Sequence, residues 1–214
     1  MAKATRPMFI PNTTRLVEER NFEFEWSMGM ARPQKQKSIA SFHEIARKDG
    51  YTKVLEISTY SPEPLGVKLS AFNLQLVLGT SSGTVEELYQ KSKVLRETDD
   101  VQALETKSQK GLPPISFEFE GFKWPLEPLS GFYDWLYINA LQQNPDLSKK
   151  ILEFQAFTDI AYNPKKSLST QARAAALYVS LIQIRKIQQT KGPKEFLKLL
   201  GSYDYMRGIK TLFS

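Results

Sequence analysis

The chain has 214 residues, enough to bury a substantial core in one domain of ordinary size or to form two small ones. Apolar residues make up 41% and aromatics 12%, which excludes wholesale disorder. Lysine and arginine number 29 against 23 acids, and the resulting +6 suits an anionic partner such as a nucleic acid or nucleotide without naming one. Cysteine is absent, which rules out disulfides, thiolate metal sites and a cysteine nucleophile. His43 is the only histidine, so no multi-histidine metal site is possible. No apolar run is long enough to span a bilayer, and the first residues lack a signal-peptide pattern. A soluble, cytoplasmic protein is expected.

Residues 1–20 carry Pro7, Pro11, Asn12, Thr13 and Thr14. These turn formers predict a segment that wraps the surface. FEFEW (22–26) alternates with the period of a half-buried strand. From Gln34 a helix is predicted, with Ile39, Phe42, Ile45 and Ala46 on one face and a stop at Asp49 and Gly50. VLEIST (54–59) reads as a strand. The stretch 69–78 reads as extended, followed by a turn at 79–83. Thr84 and Glu87 have capping-box spacing and open a helix to about Arg96.

Residues 97–114 are polar, carry Gly111, Pro113 and Pro114, and read as a mobile loop. ISFEFEGF (115–122) alternates again, as a strand or hairpin. An aromatic-rich helix starts at Ser130 or Gly131 and closes at Asn144 and Pro145. Residues 147–157 read as short and helical, 168–188 as the longest helix and 193–200 as the last. Helices dominate over a few short strands, so the expected class is α+β rather than alternating βαβ.

P-loop, G-x-G-x-x-G and G-x-S-x-G signatures are missing, so chemistry must rest on carboxylates, lysines, amides and aromatics. On a helix from Thr84, Glu86, Gln90 and Lys93 share one face. A carboxylate beside an amide and an ammonium suits acid–base work or an electrostatic clamp, and it also suits a solvated polar stripe. QKQKS (34–38) places basic residues at a helix start, against the helix dipole. An anionic ligand at the exposed amides explains that choice, and so does an exposed basic turn. A buried lysine there with a lowered pKa also has the makings of a nucleophile.

Trp124 and the run FYDWLY (132–137) offer either stacking surfaces or core. FTDIAYNPKKS (157–167), followed by Gln171, is a polar loop between apolar helices, functional or an ordinary Asx and proline turn. His43 lies at the edge of an apolar face, where a partly buried structural role is expected. Lys191, Lys194 and Lys198 read as a solvated face.

LSAFN (69–73) followed by Glu86, Gln90 and Lys93 resembles the S-N-F … E-H-x-x-Q-x-x-K core of the NADAR superfamily. QKQKSI (34–39), LEIST (55–59), Trp124-Pro125, FYDWLY, AFTD (156–159) and NPKKS (163–167) resemble the NADAR branch paired with DNA ADP-ribosylating DarT-type toxins. The resemblance runs from about residue 22 to 185. It places a single NADAR-like domain over 1–214, with 1–21 as an N-terminal extension and 186–214 as a C-terminal helix and tail.

The resemblance implies an N-glycosidase of predominantly helical α+β fold. As an antitoxin, it would remove ADP-ribose from guanine bases of DNA or from ADP-ribosyl-guanosine, opposite a cognate toxin. Glu86 would be the essential glutamate. Lys37 or Lys35, with Lys93 next, would attack the anomeric carbon, and Asp159 would precede the last active-site loop. Gln34, Ser38, Phe72, Asn73, Gln90, Lys93, Tyr162, Asn163 and Gln171 would line the ligand, and Trp124 would stack on guanine.

No metal or cofactor is expected. The glycine-rich W-G-D-G-G loop of riboflavin-type relatives is replaced by Tyr162, Asn163 and Pro164. Ala71 stands for the asparagine of S-N-F, and Glu87 for the histidine of E-H. These departures argue against a riboflavin-pathway substrate. A non-catalytic module that binds ADP-ribosylated or single-stranded nucleic acid, or a riboflavin-type N-glycosidase, remain the alternatives.

Overall fold

The computed structural model describes residues 2–95, 114–128, 130–163 and 170–203. Most of the predicted loop at 97–114 falls outside these residues, as do Lys165, Lys166, Ser167 and the aromatic tail.

Residues 1–20 do not wrap the surface. Strands β1 (Ala2–Asn12) and β2 (Leu16–Trp26) pair along their whole length as an antiparallel hairpin. The Asn12 side-chain carbonyl accepts from the amides of Thr14 and Arg15, both at 2.9 Å, and tightens the turn. Leu16 then takes a left-handed φ of 65°, held there by full burial. Turn residues misled the reading because Pro7 and Pro11 are carried within β1 by its pairing with β2, opposite Asn21 and Val17.

The hairpin joins a four-stranded sheet of order β2-β1-β9-β3. Strands β3 (Val54–Glu56) and β9 (Ala156–Thr158) run parallel, and β1 meets β9 antiparallel at Phe9 and Phe157. The predicted helix over 147–157 is therefore corrected. Helix α5 (Pro145–Lys150) and a single 3-10 turn lead into a central strand.

Alternation in these strands buries both faces of the sheet. Met8, Phe22, Phe24, Val54 and Ala156 pack on Ile39, Phe42 and Ala46 of α1 (Arg32–Lys48). Phe9, Leu16, Leu55 and Phe157 face the other core, built on α4 (Gly131–Gln142) and α6 (Gln171–Gln183). Helix α6 is buried on all sides from Gln171 to Leu181, and its alanines permit that close approach.

Two smaller sheets complete the α+β domain. Helix α2 (Pro64–Lys68) leads to the hairpin β4 (Gln75–Leu78) and β5 (Ser81–Thr84). The stretch 69–78 is thus extended only in its second half. Helix α3 (Val85–Lys91) opens with the expected capping box, in which the Thr84 hydroxyl accepts from the Glu87 amide and the Glu87 carboxylate from the Thr84 amide.

Helix α3 stops five residues short of the expectation. β6 (Lys93–Val94) pairs with β7 (Ser116–Phe119), and strand pairing outweighs one more helical turn. β7 turns into β8 (Phe122–Trp124) through Glu120 and Gly121, both at positive φ. Helix α7 (Pro193–Ser202) ends the described chain. Among the described residues no helix is long and apolar enough to cross a membrane.

Candidate functional site

β3 and β9 are parallel neighbours, so their carboxyl ends open on the same side. In register, Glu56 sits opposite Thr158. Around that end gather the loops after both strands and the first turns of α1 and α6. The Arg32 guanidinium donates to the Ser61 carbonyl at 3.4 Å, which brings the start of α1 to the loop after β3. A Cβ at Gly66 would run into the Glu56 carbonyl oxygen, so only glycine lets α2 approach here.

Glu56 is fully buried and accepts three hydrogen bonds. They come from the Ser58 hydroxyl at 2.7 Å, the Thr158 hydroxyl at 2.6 Å and the Ile160 amide at 2.8 Å. Burial raises its pKa, against those donors. The Thr158 hydroxyl has one proton, given to Glu56, so its contact with His43 Nε2 at 2.8 Å makes that nitrogen the donor. Burial, with Arg47 nearby, lowers the His43 pKa to about 4. His43 is half-buried, as expected, with Thr158 as its partner.

Asp159 is also buried. Its carboxylate accepts from the amides of Ala161 and Tyr162 and from the Thr170 hydroxyl at 3.1 Å. Burial and the neighbouring Glu56 charge push its pKa up to about 7. A carboxyl group that keeps its proton near neutral pH can act as a general acid.

Gln171 locks the site's loops together. Its side-chain carbonyl accepts from the Ala71 amide at 2.7 Å and the Ser70 hydroxyl at 3.3 Å, and its amide donates to the Ile57 carbonyl at 2.7 Å. The Glu86 amide donates in turn to the Ala71 carbonyl at 3.0 Å. A continuous hydrogen-bonded path therefore runs from the first turn of α3, through Gln171, to the loop after β3. The Glu86 carboxylate, half-buried, accepts from Gln90 at 2.7 Å. Tyr133 on α4 lies within electrostatic reach of both Glu86 and Asp159. Burial first, and then those charges, push its phenol well above its ordinary pKa.

The two candidate lysines differ. Lys37 is exposed, whereas Lys35 is 6% exposed. The Lys35 ammonium lies 4.5 Å from the Trp26 ring centroid, and the Arg6 guanidinium lies 5.3 Å from the same ring. Burial and then the Arg6 charge lower its pKa. Gln34 packs at the Gly29 turn. Ser38 is occupied within the fold, donating to the Gln34 carbonyl and accepting from the Ser27 amide.

Three expectations are corrected. Trp124 is fully buried against Phe122, Phe132 and Trp135, with ring centroids 5.0–5.4 Å away, and presents no face for a base. Lys93 leaves the helical face of Glu86 and Gln90 because α3 has ended, and its ammonium sits 5.2 Å from the Tyr89 ring. The Asn73 amide is spent on the Val67 carbonyl within its own turn. Phe72, by contrast, is 61% exposed on that turn. Tyr162 is half-buried edge-on to Phe9, with Asn163 beside it. Glu56, Thr158 and Tyr133 escaped the sequence reading as site residues. The signal for Glu56 was there: an acid in the middle of an apolar strand.

A family model described as a DarT1-associated NADAR antitoxin matches residues 4–207. No curated protein matches the chain.

Proposed function

The chain belongs to the DarT1-associated NADAR antitoxin family, and on that premise we propose that it is a metal-independent N-glycosidase removing ADP-ribose from guanine bases of DNA. Its functional counterpart is a toxin that attaches the ADP-ribose. The observation that supports this reading most is that Glu86, half-buried, and Asp159, buried with its pKa pushed up to about 7, both lie within electrostatic reach of Tyr133.

Cleavage breaks the bond between the ribose anomeric carbon and a guanine nitrogen. Positive charge gathers on the sugar, and the Glu86 carboxylate stabilises it. Asp159 gives its proton to the departing nitrogen. Lys35, whose pKa burial lowers, gives up its proton and attacks the anomeric carbon. Ring opening gives an imine, which water hydrolyses to ADP-ribose and free amine. One water is consumed, its oxygen ending on the sugar. Arg32, Lys37 and the first amides of α1 suit the pyrophosphate. The net +6 draws DNA to the surface.

The test is incubation with DNA carrying ADP-ribosylated guanosine, with released ADP-ribose as the readout. No release sinks the reading. Glu86→Gln should lose roughly 100-fold or more in kcat with its unfolding midpoint unchanged. Tight binding without turnover, indifferent to Glu86→Gln, would make the protein a binding module instead.

A further inference from the structure

Asp159 is held by its neighbours in an unusual way. The residue before it, Thr158, and the second residue of its turn, Ile160, both donate to Glu56, at 2.6 and 2.8 Å. One buried carboxylate thus clamps the chain on either side of another. Glu56 uses both oxygens as acceptors, from Ser58, Thr158 and Ile160, which favours its ionised form.

Among the described residues, the cation nearest the loop is Arg173 of α6, which faces Tyr162 and lies 3.7 Å from Asp134. His43 of α1 reaches the Glu56 and Asp159 pair only through Thr158, as a neutral donor. Tyr133 and Tyr137 of α4 are buried phenols held protonated, and Tyr137 donates to the Leu69 carbonyl. Tyr162 follows in the loop, and α6 contributes Thr170 at its cap and the neutral Gln171. Asp134 and Glu86 add negative charge from further off. Asp159 also accepts through both oxygens, from Ala161, Tyr162 and Thr170. Two carboxyl groups in such a place cannot both ionise without large cost, so one proton is shared, and the Glu56 charge pushes Asp159 up to about 7.

We propose that Glu56 is a positioning residue for Asp159: it fixes the turn that aims the Asp159 carboxyl group and, by its own charge, keeps the proton on Asp159. Its bearing on turnover, though not the placing of the proton, rests on Asp159 being the acid of the proposed reaction. Glu56, buried under its three donors, acts through Asp159. In turnover, the proton leaves Asp159 for the departing guanine nitrogen, and the water that completes hydrolysis returns one to the pair. Atoms and charge balance without a further reactant.

The experiment is a pH titration of the Asp159 carboxyl carbon by NMR in the resting protein, wild type against Glu56→Gln. In wild type this carbon should titrate near neutral pH. In Glu56→Gln its midpoint should fall by about one pH unit or more, because the like charge is gone. The alkaline limb of kcat should move down with it while KM stays within about twofold. If Glu56→Gln fails to fold, Ser58→Ala serves. Losing a donor weakens the charged form of Glu56, moves the proton towards it and lowers the Asp159 midpoint in the same direction. An ordinary Asp159 midpoint in wild type, or no shift in either variant, overturns the inference. If the midpoints behave as stated but Asp159→Asn retains full activity, the inference stands and the assignment of Asp159 as acid falls.

Discussion

Gln171 and Ala71 are joined by a 2.7 Å hydrogen bond from the Ala71 amide to the Gln171 side chain, across 100 residues of sequence. The same side chain holds the Ile57 carbonyl. A single buried amide at the start of α6 therefore fixes the two loops that carry the site.

Gln171→Ala should remove that link. It leaves the Ala71 amide and the Ile57 carbonyl buried without their partner, at a cost of roughly 2–4 kcal/mol in total. Urea unfolding measures it. A loss below about 0.5 kcal/mol would show that water or a neighbour replaces the side chain without penalty.

Lys35 and Lys37 are two residues apart and should behave oppositely. Lys35→Met should abolish borohydride trapping of ADP-ribose on the protein, since a buried amine of lowered pKa is the one able to form an imine. Lys37→Met should still be trapped and lose only modest affinity, within about tenfold, as an exposed phosphate contact does. Peptide mapping of the trapped adduct to Lys37 would reverse the assignment.

His43 sets an acid limit on stability. Its pKa falls from its ordinary 6.5 in the unfolded chain to about 4 in the fold. Between those values the unfolded chain binds more protons, so stability is lost as pH drops from 6.5 towards 4, by up to about 3 kcal/mol. The raised pKa values of Glu56 and Asp159 act in the opposite sense. Comparing wild type with His43→Gln isolates the histidine. The variant should lose less stability between pH 6.5 and 4.5, and parallel curves would refute the claim.

Trp124 should matter for stability and not for the ligand. Trp124→Ala should cost about 3–5 kcal/mol by emptying an aromatic core. Trp124→Phe should keep ADP-ribose affinity within about twofold. A large affinity loss in a variant of normal stability would return the indole to the binding surface.

Much of this domain is written locally. The alternation of Phe22, Phe24 and Trp26 specifies a strand, and the spacing of Ile39, Phe42 and Ala46 a buried helix face. The capping box at Thr84 and the helix after Ser130 follow from residues within a few positions of each other. Motif order along the chain was enough to suggest the family. Three things were not legible. β1 looked like loop because its prolines outweighed its apolar residues. Residues 156–158 looked helical because a short apolar run fits either state. Helix α3 ended early because its next residues had a partner in β7. Each was decided by pairing with segments far away in sequence, which a local window does not contain.

The sequence by itself determined which residue types were available: no thiol, one histidine, and an excess of lysines and carboxylates able to do acid–base work. Tertiary structure alone decided what those groups became. It set Glu56 opposite Thr158, 102 residues away, withdrew both Asp159 and Lys35 from water, and turned Trp124 inward. The reason is that a side chain's charge state depends on the dielectric and the neighbours around it, and both exist only once distant strands and helices have closed over it.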